Sequence, residues 1–268
     1  MFALDDVKKY YLFRAFNKRL ALPVWVVIML DNGLSVEQVA LIAGVSTLIA
    51  LVLEVPSGAI ADSIGHKRAL TLALIGMGSG LLCFVGQSFW WFRAGSVLYY
   101  GVGSLMTGTH QAWLYERLQE LGRAKDYQLV SGRSRSFSSG VSLFAVILAG
   151  PLYLWSPAVP FIVSGLIYYT GAFVTTRFTA NKRASSVKES EGWWQTVVHF
   201  RRGWQTLAED RVLLWFMLCN ALLFGSMLGA IEVQQVILKN VGLAVGLFGF
   251  LYALKRLFSA TVAPLLHR

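Results

Sequence analysis

Ionisable and amide side chains inside long apolar runs are the residues of this sequence with chemistry to perform. A charge at the centre of a bilayer costs about 2.5 kcal/mol or more, so such a group marks a pathway or a partner. Glu54, Arg93, His110, Glu116, Arg135 and Glu232 are of this kind, together with the adjacent amides Gln234 and Gln235. Carboxylates at depth suit proton exchange or ion pairing, and His110 suits either a proton relay or a satisfied polar place in the core. Glu54, beside Pro56, either titrates with a substrate or bonds neighbouring backbone, and Lys255 and Arg256 either meet an anionic group or pair with Glu232. Arg14, Asn17 and Lys18 read as long side chains that snorkel to water. Ser134, Ser138 and Ser142 step every four residues beside Arg135, a stripe that faces protein or a cavity and equally serves helix packing. No nucleophile, base and orienter can be assembled, and no metal-ligand spacing or cofactor motif is present, so the reading is not that of an enzyme. Cys83 and Cys219 lie within apolar runs and read as small core residues.

A second concentration of polar groups is the stretch SGAIADSIGHKR, residues 57–68, directly after an apolar run. Gly58 and Gly65 permit a close helix approach and a tight turn, Asp62 can accept hydrogen bonds from a neighbouring helix N-terminus, and Lys67 and Arg68 add positive charge. The glycines lack the spacing that precedes a Lys-Ser/Thr pair in a phosphate-binding loop.

The elements that must position these groups are set by composition. At 56% apolar and 14% charged residues, against about 25% charged in an ordinary soluble domain, the 268-residue chain expects a membrane as solvent. Runs of about 20 apolar residues fall at about 10–30, 37–57, 69–87, 92–115, 134–154, 158–176, 212–236 and 242–263. The aromatic turn GQSFWW joins the third run to the fourth and suits an interface. A polar, basic linker follows the sixth run, with an amphipathic stretch around Trp193–Trp204 expected on the membrane surface. All of the 24 lysines and arginines except Arg93, Lys239, Lys255 and Arg256 fall on one side of this pattern. Positive charge is retained in the cytoplasm during insertion, which places the N-terminus and the linker there, in a multi-pass protein of the cell membrane. The net charge of +10 therefore reports topology; spread over separate loops, it forms no patch for nucleic acid.

An internal repeat follows from comparing the turns. MLDNGLSVEQVALIAG between the first two runs resembles ILKNVGLAVGLFGFLY between the last two, with Gly33 and Gly242 209 positions apart, which implies two repeated halves. With position, topology and spacing together, Gly58, Asp62, Gly65, Lys67 and Arg68 resemble the signature loop of the major facilitator superfamily. LEVPSG (53–58) and AWLYERLQELGR (112–123) are similar to a bacterial branch of permeases and drug exporters. The resemblance implies an all-α membrane protein, a helical bundle of major facilitator type. Residues 1–176 form its six-helix N-terminal half, 177–211 a cytoplasmic linker, and 212–268 the start of the C-terminal half with helices seven and eight. It implies a secondary transporter of a small molecule, working by alternating access and directed outward, with the 57–68 loop as a conformational latch rather than a topogenic turn only. Gln234 and Gln235 come near the central cavity as substrate contacts. Members have twelve helices, so C-terminal truncation is expected. Two departures stand. Val97 and Tyr100 occupy the Arg and Gln positions of an Arg-x-x-Gln-Gly motif in helix four, which leaves protons as the coupling ion open, with Arg93 one turn earlier as a substitute. Gly150-Pro151 resembles an antiporter motif, but Leu154 and Trp155 replace its later glycines. The alternatives are a non-transporting scaffold or receptor-like protein and a homodimeric half-transporter.

Overall fold

A computed structural model of the chain describes residues 2–179 and 211–262. The described residues form ten α-helices and no strand: α1 (Phe2–Phe16), α2 (Trp25–Asp31), α3 (Val36–Ile64), α4 (His66–Cys83), α5 (Phe89–Gly103), α6 (Thr109–Glu120), α7 (Tyr127–Trp155), α8 (Val159–Thr176), α9 (Arg211–Asn240) and α10 (Phe248–Val262). Among the described residues, four stretches are long and apolar enough to cross a membrane: Val36–Glu54, His66–Gly86, Ala124–Trp155 and Val159–Thr176. The all-α expectation holds. The surface stretch expected at 193–204 and most of the linker lie outside the described residues.

The boundaries differ from the sequence reading in three places. The first run is broken into α1 and α2, and the fourth into α5 and α6. The second continues through Pro56 to Ile64, so Gly58 and Asp62 are helical and the turn shrinks to Gly65. Gly65 has φ +87° and ψ 140°, which other residues adopt only with strain. Gly58 has open space where a Cβ would stand and mediates no close approach, contrary to expectation.

Close approach is instead concentrated at other small residues, as expected where apolar lipid gives helices little hydrophobic reason to associate. A Cβ on Gly95 would stand 2.5 Å from the Gly80 carbonyl oxygen, so α4 and α5 meet backbone to backbone. Gly78 and Gly165 bring α4 to α8 at a somewhat greater distance, their Cβ positions 3.1 and 3.2 Å from each other's carbonyl oxygen. At the crossing of α7 and α10, Cβ atoms on Gly150 and Gly249 would overlap the carbonyls of Gly246 and Val146. Outward surfaces are apolar, with Leu48, Leu51, Phe144, Leu148 and Phe173 exposed. Trp90, Trp91 and Trp155 are exposed where α5 begins and α7 ends, on the face away from Phe2, as amphipathic rings at an interface require. The amino-terminal face is tied by Asp6, which accepts from Arg117 Nε at 2.7 Å and from Thr179 Oγ1 at 3.1 Å.

The repeat seen in the turns is reproduced in backbone geometry. Gly33 and Gly242 have φ +83° and +80°. Leu34 N–H donates to Met29 O and Leu243 N–H to Leu238 O, both at 3.1 Å, while Gly33 and Gly242 donate to Leu30 O and Lys239 O. The same helix-ending motif closes α2 and α9, with a positive-φ glycine in the place where a side chain is disfavoured.

Candidate functional site

Helix one is interrupted between Phe16 and Trp25. Within the break Leu22–Val24 form a 3₁₀ turn, near whose start Pro23 fits because it lacks an N–H and has a fixed φ. Backbone groups released at such a break must find partners in a medium without water. Ala21 N–H donates to Ser164 Oγ at 3.0 Å. Val26 N–H donates to Gln235 Oε1 at 2.9 Å, and Gln235 Nε2 donates to Leu22 O at 3.0 Å. Gln235 is 1% exposed and brackets the break with both ends of its amide.

Helix four breaks at GSLMTGT. α5 gives way to a 3₁₀ turn over Ser104–Met106, Thr107 is extended (φ −65°, ψ 123°), and Gly108, at φ +75°, caps α6. The two breaks face a common cavity of about 530 Å³. Asn17, Lys18 and Arg19 line it from the first, and Met106, Thr107 and Gly108 from the second. His110 and Gln111 on the first turn of α6, and Ser142 on α7, carry the wall toward the amino-terminal face, while Tyr99 and Tyr168 close it at mid-height. Tyr168 stands halfway along the span Val159–Thr176. Unwound helices around a mid-membrane cavity present backbone groups and helix ends to a solute, an arrangement characteristic of secondary transporters.

Arg19 is the chemical centre of this cavity. Its Cζ lies 4.4 Å from the Trp25 ring centroid, 5.1 Å from Tyr99 and 5.8 Å from Tyr100, and Nη1 donates to Tyr100 Oη at 3.3 Å. Aromatic faces stabilise a guanidinium without neutralising it. Behind the cage Trp25 packs on Phe84 at 4.2 Å, and Phe84 stacks on Phe161 at 4.8 Å, so the rings are held rigidly. Tyr99 and Tyr168 share a hydrogen bond of 2.9 Å between their hydroxyls.

The sequence model of the Major Facilitator Superfamily matches residues 10–268. The chain belongs to the Major Facilitator Superfamily. No curated protein and no solved structure matches it. As a member of the Major Facilitator Superfamily it is a secondary transporter that spans the lipid bilayer in several passes and acts on small-molecule substrates, in a superfamily of transporters rather than enzymes.

Against this Major Facilitator Superfamily frame the sequence candidates separate into groups. Glu232 lies near Arg19, close enough for the two charges to interact. Gln234 accepts from Lys255 Nζ at 3.4 Å, and Gln235 serves the break rather than the cavity wall. His110 lines the cavity; Arg14 Nη1 faces its Nε2 at 3.3 Å, and Tyr10 Oη lies 3.0 Å from its Nδ1. A guanidinium only donates, so Nε2 accepts and the ring proton sits on Nδ1, the geometry of a satisfied neutral imidazole. Arg93 stacks on Trp90 at 5.7 Å and Arg135 is exposed, neither lining the cavity. Glu54 is exposed on α3. The serine stripe is buried, with Ser138 Oγ donating to Arg14 O at 3.0 Å and Ser142 reaching the cavity.

Glu116 is drawn to the signature motif instead. His66 is the last motif position before Lys67, and its ring lies between two carboxylates, Nδ1 to Glu116 Oε2 at 3.1 Å and Nε2 to Asp62 Oδ1 at 3.3 Å. Whichever ring nitrogen carries a proton can donate it to the carboxylate beside it. Lys67 is half-buried and Arg68 exposed beside it. His66 is not legible as a site residue in the sequence because its second partner lies 50 residues away, and Arg19 reads there only as one of the positive charges of the cytoplasmic side. Arg14 and Lys18 likewise do not snorkel: the break turns the polar first half of helix one toward the protein interior, where its groups find partners.

Proposed function

We propose that this transporter moves its small-molecule substrate outward across the cell membrane by alternating access, with the cavity between the two broken helices as its binding site. The observation that carries the reading is the pair of breaks converging on one mid-height cavity around Arg19. On the face away from Phe2, Asp31 accepts from both Tyr153 Oη and Lys239 Nζ, tying α2 to α7 and α9. With the glycine crossing of α7 and α10 beside it, this closes the cavity on that face, while its lining extends toward the amino-terminal face. The two sides are exchanged by rocking residues 1–176 against the helices after the 177–211 linker. Uptake of substrate into inverted membrane vesicles, saturable and driven by an ion gradient, is the expected result. Its absence from all vesicles that contain the protein would leave the scaffold reading in its place.

The amino-terminal face is assigned to the cytoplasm by the positive charge it carries. In a background without Cys83 and Cys219, cysteines at Lys125 and at Asn32 are expected to react oppositely with an impermeant thiol reagent in intact cells, Asn32 labelling and Lys125 protected. Equal labelling would refute the assignment.

The Asp62–His66–Glu116 cluster on that face is assigned the role of latch, with Gly65 as its turn and Lys67 and Arg68 flanking it. Asp62→Asn keeps volume and removes the acceptor charge, and a pair whose carboxylate is largely exposed contributes about 1 kcal/mol or less. Transport is expected to fall roughly fivefold with membrane levels unchanged. Transport at the wild-type rate would reduce Asp62 to a helix-end residue.

A further inference from the structure

We infer that the cavity selects organic anions, in particular a carboxylate carried on a flat apolar body. The inference rests on the transport reading above and adds the chemistry of its substrate. Lys18 and Arg19 both line the cavity, and no aspartate or glutamate is among its lining residues. Arg19 makes one hydrogen bond and no ion pair among the described residues, although a guanidinium carries five N–H donors. The rings of Trp25, Tyr99 and Tyr100 hold its plane without supplying an acceptor that matches its fork. A carboxylate does match it, through two parallel charge-assisted bonds.

The rest of the wall agrees. The first turn of α6 enters the cavity at Gly108, His110 and Gln111, so the positive end of that helix points at the same space. Met77, Met106, Leu22 and the faces of Tyr99 and Tyr168 supply an apolar, polarizable surface for a ring. About 530 Å³ accommodates a substituted aryl acid together with some water. Glu232 stands outside this lining but close enough to interact with Arg19, and so opposes a bound anion.

The test is a matched charge series on common rings: benzoate and 2-naphthoate, their uncharged amides, and benzylammonium and 2-naphthylmethylammonium. Binding is measured to the full chain in lipid nanodiscs, and uptake of the same probes in proteoliposomes. The carboxylates are expected to bind saturably and the amides and ammonium ions at least tenfold more weakly. Arg19→Gln should weaken carboxylate binding roughly tenfold to a hundredfold, Arg19→Lys less, and Glu232→Gln should strengthen it. The wild-type series needs no variant, so a misfolded Arg19→Gln does not remove the test. Amides or ammonium ions bound as well as carboxylates, or weaker carboxylate binding in Glu232→Gln, would overturn the anion assignment while leaving transport standing. Carboxylates that bind without being taken up would confirm the assignment and overturn the transport reading. Absence of binding by every probe would overturn the assignment itself.

Discussion

Gly249→Val is expected to destabilise the bundle by about 3 kcal/mol or more and to abolish closure of the face away from Phe2. A Cβ at Gly249 would overlap the Val146 carbonyl oxygen and stand 3.1 Å from Ile147 Cα, both on the facing helix. The obstacle is backbone, so no rotamer change relieves it, and α7 and α10 must separate along the crossing that Gly150 and Gly246 continue. Packed interiors adjust little, and an added group is absorbed as strain or as displacement of a whole element. Gly140→Ala on α7 is the control, because nothing lies within 4 Å of its Cβ position. It should leave stability unchanged or raise it slightly through helix propensity. Thermal unfolding and denaturant titration in micelles would read both. A Gly249→Val protein as stable as the parent would refute backbone-to-backbone packing of α7 and α10 at this crossing.

Gln235→Met removes both hydrogen bonds of a nearly isosteric side chain. It leaves Val26 N–H and Leu22 O unpaired at a buried site, at about 1–3 kcal/mol for each group. The expected result is a large loss of thermal stability and of transport together, because the same bracket that stabilises the break also sets where Arg19 stands. Ser164→Ala, which removes the single acceptor of Ala21 N–H, should give a smaller loss in the same direction. Unchanged unfolding of Gln235→Met would mean that water replaces the amide, and that the break is open to solvent.

The position of Gln235 also shows how the repeat is used. Val26 and Gln235 are separated by 209 residues, the same interval that separates Gly33 from Gly242. Each is therefore the counterpart of the other, and the side chain of one bonds the backbone of its equivalent. α2 and α9 thus meet where the two repeats come together, with Asp31 and Lys239 forming an ion pair at the outer end of the same contact. Gln235 was legible in the sequence as a polar group at depth. Its role as a bracket for Pro23 was not, because that role depends on which helix crosses it.

Composition and patterning by themselves determined that this chain is helical and membrane-spanning, that Gly33 and Gly242 mark one repeated motif, and that residues 57–68 carry a family signature. These properties follow from local periodicity and from charge that stays out of hydrocarbon, so each is written within about 20 consecutive residues. Only the tertiary structure decided that two expected spans are broken and that Arg19, in the first break, lines the cavity at mid-height rather than the cytoplasmic edge. It alone also decided that His66 joins Asp62 to Glu116, and that Gln235 faces backbone rather than cavity. A break in a membrane helix survives where distant partners satisfy the backbone it releases, here Ser164 and Gln235, 143 and 209 residues away from their donors. A charge at depth survives for the same reason, by meeting rings from α2 and α5 that no linear pattern places beside it.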